Sequence, residues 1–592
     1  MSTTETRLDP ITFEVLRSSL VTICDEMGVR LCRTAFSPVV TEGRDFTFAL
    51  FDADGHLAAS GHWDMPVHFG TFEGTIASVR KTFGEDINEG DIFLYNDPYT
   101  GGTHNNDMRA VRPVFHEGTR IGWIVACAHW PDVGGPLPGT FNPSATECYA
   151  EGIRVPAVKI YDRGVRVESI IQLVMANVRN AAGATGDLQA MVGCCLGGDD
   201  RLRGLAEKYG RETLFAAYRE SMDYAERILR TFTEALPNGV YEWTDHIDQD
   251  PAHPDHPPVK IHLRMTVEDG QVEFDFTDSD PAPMGAVGSP MPTTWSGVLS
   301  ATLNVFPGVP LNFGVSRVLS MKTRPNSVVH LLPPTPASGM AACAFEKVVA
   351  CTLGVLGLAD PARKTACIFN LTNVVVGGQD ERFGNRPWVM YFWLPGGYGA
   401  TARGDSTLPS HMLFGPGVKI QPVEVHERFY PVLFDELCLR EDSAGPGRYR
   451  GGYGVRAKFH LTHGKAKLSV LGDRQRFAPW GVEGGGDGGN QSLWVDPDGD
   501  DPQELGMFAT GVDLPPASTV LYYSGGGGGY GNPLERDPEL LIGDVVDGVM
   551  SLETARTQYG VVLREVGRDD GGFAVDVDAT AEERERLRAS RA

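Results

Sequence analysis

Two apolar runs, AVRPVF (110–115) and IGWIVACAHW (121–130), are separated by a few turn residues around Gly118, which is too short for anything but an antiparallel hairpin. With the turn centred near Gly118, facing residues have numbers summing to about 236, within a slip of one or two. That register sets His129 opposite Asp107. Side chains directly opposed on one face have Cβ atoms roughly 5 Å apart, close enough to share an ion.

The stretch entering the hairpin, NDPYTGGTHNND (96–107), ends a strand-like run and turns on two glycines. It delivers His104 three residues before Asp107, able to close over the same point. A His-x-x-Asp pair alone is common in surface loops, and a histidine ending an apolar strand is often only a satisfied core residue. The register is what lifts this pair above both. Two imidazoles and a carboxylate suit a divalent Mn, Zn or Fe, and a second carboxylate would complete four ligands. Asp45, Asp97 and Asp132 are candidates that spacing does not separate. Cys127 shares the strand face of His129 and reads as a buried structural thiol.

Around this hairpin the pattern predicts a mixed α/β (α+β), multi-lobed chain of three or four lobes. Asp9-Pro10 caps a first helix expected to end at Gly28. DFTFALFD (45–52) alternates as a strand and runs into an Asp54-Gly55 turn. An antiparallel, strand-rich N-terminal lobe (1–164) is followed by a helical lobe (165–236). A mixed α/β lobe (237–384) comes next, with a Pro-rich crossing and a helix near 343–359. The last lobe (385–592) is glycine- and strand-rich, with a helical segment capped by Ser551 and a charged end, TAEERERLRAS, expected to fray.

Net charge narrows the partners. With 52 Lys plus Arg against 77 Asp plus Glu, nucleic acid is not expected. The start lacks a basic-then-apolar leader and no eighteen consecutive apolar residues occur, so the expected compartment is cytoplasmic, with no membrane partner. Ten cysteines without a CxxC pair suggest neither a zinc ribbon nor a disulfide framework. No G-x-x-x-x-G-K-[ST] and no G-x-S-x-G is present, and the pentaglycine at 525–529 reads as a turn or a close backbone approach rather than a phosphate cradle. A reaction needing ATP would have to receive it from a partner.

Seven motifs in order resemble the hydantoinase B/oxoprolinase family: NDPYTGGTHNND, AHWPDVGGPLPGTFNPSATE, EGIRVPAVKIYDRG, ANVRN, GDLQA, REDSAGPGRYRGGYG and SGGGGGYGNPLERDP. The resemblance runs from about residue 8 to 565. It implies a B-type subunit of an ATP-dependent amidohydrolase or carboxylase, as in N-methylhydantoinase, 5-oxoprolinase, caprolactamase and the acetone and acetophenone carboxylases. In that family an A-type subunit uses ATP to phosphorylate the substrate oxygen, and the B-type subunit carries a metal.

Carried over by motif, the metal ligands fall on Asp45 in EGRDFTF, His104 and Asp107 in THNND, and His129 in AHWPD. Asp97 is left with holding the loop or a ligand in place. Asp132 or Glu147 is then expected as a general base or as an anchor for a histidine, and Arg44 and Arg109 are candidate phosphate contacts, with solvated charges flanking strands as the alternative. The expected reaction is hydrolysis of a lactam, hydantoin or 5-oxoproline-like ring. The alternatives are an acetophenone-type carboxylase subunit and a metal-free scaffold for the A-type subunit. Asn105-Asn106 replaces the Leu-Pro of many relatives, a difference expected to bear on the substrate pocket. The family's usual asparagine before P-[VI]-E is not evident in FGPGVKIQPVEVHERFYP.

Overall fold

The computed structural model describes residues 7–407, 417–567 and 572–591. The first residues of the chain and of FGPGVKIQPVEVHERFYP lie outside them. The expected hairpin forms between β4 (Asp107–His116) and β5 (Thr119–His129), and Asp107 pairs with His129. Five more strands extend it: β1 (Phe46–Phe51), β2 (Leu57–Ser60), β3 (Ile92–Tyr95), β6 (Val158–Asp162) and β7 (Val165–Arg166). The sheet order is β2-β1-β5-β4-β3-β6-β7, and its strand pairs are antiparallel.

The central strands are apolar on both faces because both faces are covered. Phe46, Phe48, Leu50, Ile124, Ala126 and Ala128 pack under the helices Pro10–Thr34 and Ala181–Tyr209. The alternate residues, among them Ala49, Phe51, Val111, Val125 and Cys127, meet Phe69, Phe72, Ile76 and Val79 of the helix Phe69–Phe83. The expected helical lobe is therefore not separate. Its long helix shares one core with the first sheet, through Leu188, Met191, Cys195 and Leu202.

Asp9 caps the first helix, its Oδ1 accepting the Ile11 and Thr12 N–H groups, with Pro10 opening the first turn. The helix does not stop at Gly28. Gly28 lies against the Phe46 ring, where an added Cβ would come within 3.0 Å of Cε2, so glycine here serves close packing rather than termination.

A second, four-stranded sheet follows in the order β11-β10-β9-β8: β8 (Gly239–Ile247), β9 (Val259–Glu268), β10 (Gln271–Asp275) and β11 (Leu319–Lys322), with β10 and β11 parallel. The segment Met340–Ala359 is apolar and long enough to cross a bilayer, but 94% of it is buried inside the fold, as a core helix is. Then β12 (Asn373–Asp380) and β13 (Arg386–Phe392) open a further sheet. A five-stranded sheet beginning at Val432–Leu439 shares a core with it, built on Val374, Phe392, Phe459 and Tyr522.

The pentaglycine is the buried centre of this C-terminal half. Its N–H groups go to different neighbours in turn: Gly526 to Gly489 O (3.0 Å), Gly527 to Gly452 O (3.0 Å), Gly528 to Cys367 O (2.9 Å), Gly529 to Gly486 O (2.9 Å). Donors to its carbonyls repeat likewise, Gly397 to Gly525 O and Ala400 to Gly528 O (3.0 and 2.9 Å). The period of three is that of a polyproline II helix rather than of a β-strand. Backbone approaches on every side leave no room for a methyl group: a Cβ on Gly526 would overlap the Ser443 carbonyl, and one on Gly527 that of Tyr398.

Ser551 caps its helix as expected, accepting from Thr554 N. The charged end does not fray through the described residues. Val577–Arg591 is a helix that buries Thr580, Glu583 and Leu587, and Glu583 pairs with Arg556 and Arg586. All ten cysteines are free thiols.

Candidate metal centre

Register and parity build the site. β1 lies antiparallel beside β5 with Phe46 opposite Ala128, and one step further His129 N donates to Asp45 O at 3.1 Å. Asp45, His129 and Asp107 thus form one cross-strand row. Because side chains alternate, the row projects from the face covered by Phe69–Phe83, one step beyond the row of Thr47, Cys127 and Arg109. The Gly-Gly loop then brings in His104.

His129 Nδ1 is 3.2 Å from Asp107 Oδ1 and 3.8 Å from Asp45 Oδ2, and His104 Nε2 is 3.3 Å from Asp107 Oδ2. His104, Asp107 and His129 offer ligand atoms within 4.8 Å of one another, and so do Asp45, His68 and Asp107. The five residues are 1–8% exposed. The wall comes from far along the chain. Tyr391 of β13 stacks on the His129 ring (4.6 Å, 18°), held by its hydroxyl donating to Asn373 Oδ1 at 2.6 Å, and Phe141 packs against His104, His129 and Tyr391.

The donor set fits a cation. Burial, with Asp107 alongside, pushes Asp45 up to about 6 even though His129 opposes it. Burial also works against a charge on Asp107, yet His104, His129 and His68 hold its carboxyl well below the usual range. Burial pushes His104 down to about 4. Among the described residues, the ion pairs of Asp45 and Asp107 are with histidines, never with Lys or Arg. Buried carboxylates of this kind are found paired or on a metal, and two carboxylates with imidazoles are what a divalent transition metal takes.

The other sequence candidates lie elsewhere. Asp97 shapes the Gly-Gly loop: Oδ1 accepts Tyr99 N (3.1 Å) and its carbonyl accepts Gly102 N (2.7 Å). Asp132 does not reach the cluster. Its carboxylate accepts Gly134 N, Gly139 N and the Arg179 guanidinium (2.9, 2.8 and 2.8 Å), so it pins the loop after β5. Glu147 is exposed at the start of the turn Cys148–Ala150, outside the cluster. Arg44 is directed to the Trp63 ring, 4.6 Å away. Arg109 is neither solvated nor free for phosphate. Fully buried, it donates to Thr71 Oγ1 (2.8 Å), Thr75 Oγ1 (2.5 Å) and Gly101 O, tying the loop to the helix. Asn105 Nδ2 donates to Glu151 O (2.8 Å) and Asn106 Nδ2 to Trp130 O (2.9 Å), so both amides brace neighbouring loops.

His68 is not legible in the spacing. Its one signal is its place directly before the helix that covers this face, and strand spacing does not say which helix end meets which strand end.

Taken together, these features define a multi-lobed α/β protein with a buried cluster of carboxylates and imidazoles where three antiparallel strands end. The hydantoinase B/oxoprolinase family model matches residues 9–533, and the chain belongs to that family. It is similar to the B-type subunit of a putative D-/L-hydantoinase of Pseudomonas sp. (strain NS671), 30% identical over 94% of this chain and 96% of that protein. The beta subunit of caprolactamase from Pseudomonas jessenii is 30% identical over 97% of this chain and 98% of its own length. A crystal structure of ATP-dependent caprolactamase from Pseudomonas jessenii superposes with a TM-score of 0.91 at 29% identity, over 98% of this chain and all of that one.

Proposed function

We propose that the chain is the metal-carrying B-type subunit of an ATP-dependent amidohydrolase that opens a lactam, hydantoin or 5-oxoproline-like ring. The observation that carries this is the buried cluster of Asp45, His104, Asp107 and His129, whose carboxylates form their ion pairs, among the described residues, with imidazoles. These four residues would hold one divalent ion, Mn, Zn or Fe. Such an ion acts as a Lewis acid and lowers the pKa of water, the chemistry that attack on an activated amide carbon requires. Phe141 and Tyr391 keep bulk water from the two histidines and fix their ring planes. Arg109 and Asp97 hold the loop that presents His104.

Activation belongs to an A-type partner, which binds ATP and phosphorylates the amide oxygen, as the family resemblance implies. The family relatives support that division, two of them being subunits by name. The test is co-expression with an A-type subunit and assay of ATP-dependent ring opening of hydantoins, 5-oxoproline and caprolactam, against aryl ketones with bicarbonate. Ring opening that is lost on chelation supports the proposal. Turnover that requires bicarbonate replaces it with a carboxylase, and ring opening indifferent to metal removal refutes the centre.

A further inference from the structure

We propose that His68 is a positioning residue that, with Thr47, fixes which oxygen of Asp107 faces the metal. This rests on the metal centre of the proposed function and adds a residue to it. Asp107 Oδ2 receives two donors that are not among the four ligands: the Thr103 hydroxyl, in a short contact, and His68 Nε2 at 3.3 Å. A carboxylate oxygen offers two lone pairs, so these donors occupy those of Oδ2, against which His104 Nε2 also lies at 3.3 Å, and leave the lone pairs of Oδ1, on the His129 side, as the ones open to an ion. Held by these donors, the carboxylate cannot swing, and Oδ1 is the oxygen it would offer to an ion.

The His68 ring cannot swing either. Its Nδ1 lies 2.7 Å from Thr47 Oγ1, which in turn accepts Met65 N at 3.0 Å. Asp107 can only accept, so Nε2 carries the proton whether the imidazole is neutral or charged. The helix that His68 introduces holds the motif a second time, since Thr71 and Thr75 anchor Arg109, and Arg109 grips Gly101 O three residues before His104. One helix therefore sets Asp107 directly and His104 through the loop. Partners of metal ligands that act in this way carry about 10–100-fold in metal affinity.

The experiment uses the full chain, stripped of metal and titrated with cobalt(II) alone, reading stoichiometry, affinity by chelator competition and the cobalt absorption spectrum. His68→Leu should keep one ion per chain, weaken binding about 10–100-fold and change the spectrum. His68→Gln, which keeps an N–H donor, should recover much of both, and Thr47→Val should shift them in the His68→Leu direction by less. Should His68→Leu not fold, Thr47→Val and His68→Gln carry the decision. Wild-type affinity and spectrum in His68→Leu and Thr47→Val, with binding lost in His104→Ala, overturns the inference and leaves the centre standing. Two ions in the wild type and one in His68→Leu also overturns it, by making His68 a ligand. A wild type that binds no cobalt removes the centre itself.

Discussion

Two buried regions of this molecule are built in opposite ways. At the end of the first sheet, side chains from Asp45, His68, His104 and His129 gather around Asp107, and the backbone only aims them. In the C-terminal half, Gly525–529 has no side chains to aim, and the backbone itself is the packing surface. One region is specified by what is present at a few positions, the other by what is absent. Changes should therefore act in opposite ways. Adding an atom to the glycine run should destroy the fold, whereas removing a side chain from the cluster should spare the fold and destroy the chemistry.

The largest effect is expected from Gly526→Ala. Its methyl group meets the Ser443 carbonyl inside a fully bonded backbone lattice, and overpacking that cannot relax lies beyond the usual 1–3 kcal/mol. Circular dichroism and thermal melting should show no cooperative folded state, and a wild-type melt would break the comparison.

Arg109→Met comes next. It removes the guanidinium donors from Thr71 Oγ1, Thr75 Oγ1 and Gly101 O, leaving the Thr75 hydroxyl as the donor that still ties Gly101 O to the helix, at a cost of about 3 kcal/mol in denaturant unfolding. Retention of metal by this variant would show that the loop does not need the helix.

A third comparison uses two histidines that burial pushes to about 4. His104 sits beside the Asp107 carboxylate, whereas neither nitrogen of His426 has a hydrogen-bond partner among the described residues, the ring being boxed by Phe392, Tyr430 and Phe434. Between about 6.5 and 4 the unfolded chain binds a proton that folded His426 refuses. Stability from this group is complete above the unfolded pKa and is lost as pH falls through that window, by an amount on the order of 3 kcal/mol. His426→Phe should flatten that acid limb in pH-dependent unfolding. An unchanged limb would show that the loss lies with other groups.

The smallest effect on the fold is expected from His104→Ala, whose metal-free melting should stay within a few degrees of wild type, about 1 kcal/mol for a chain this large. ATP-dependent turnover with the partner should nevertheless vanish.

The same contrast explains what the sequence discloses. The hairpin is legible because two apolar runs and a short turn admit one register, and that register by itself places Asp107 opposite His129. The cap at Asp9 is legible because Asp-Pro opens helices for a local reason. The first helix running past Gly28 is not, because whether a glycine ends a helix or lets Phe46 approach is decided by the sheet. Tyr391 and His68 reach the cluster through packing between elements, which spacing does not encode. Asp132 reads as a ligand or base from its place beside His129, but the residue after a strand has left its parity, and Arg179 and two glycine N–H groups claim it. The glycine run reads as a turn or a close backbone approach, and the second is what forms, but glycine alone does not say which backbones approach.

The most direct test is the metal content of the purified chain, measured by plasma mass spectrometry beside His104→Ala and Asp107→Asn. About one Mn, Zn or Fe per wild-type chain, and almost none in either folded variant, is the expected result. A metal-free wild type whose ATP-dependent ring opening with its partner survives chelation would contradict a metal centre at this cluster.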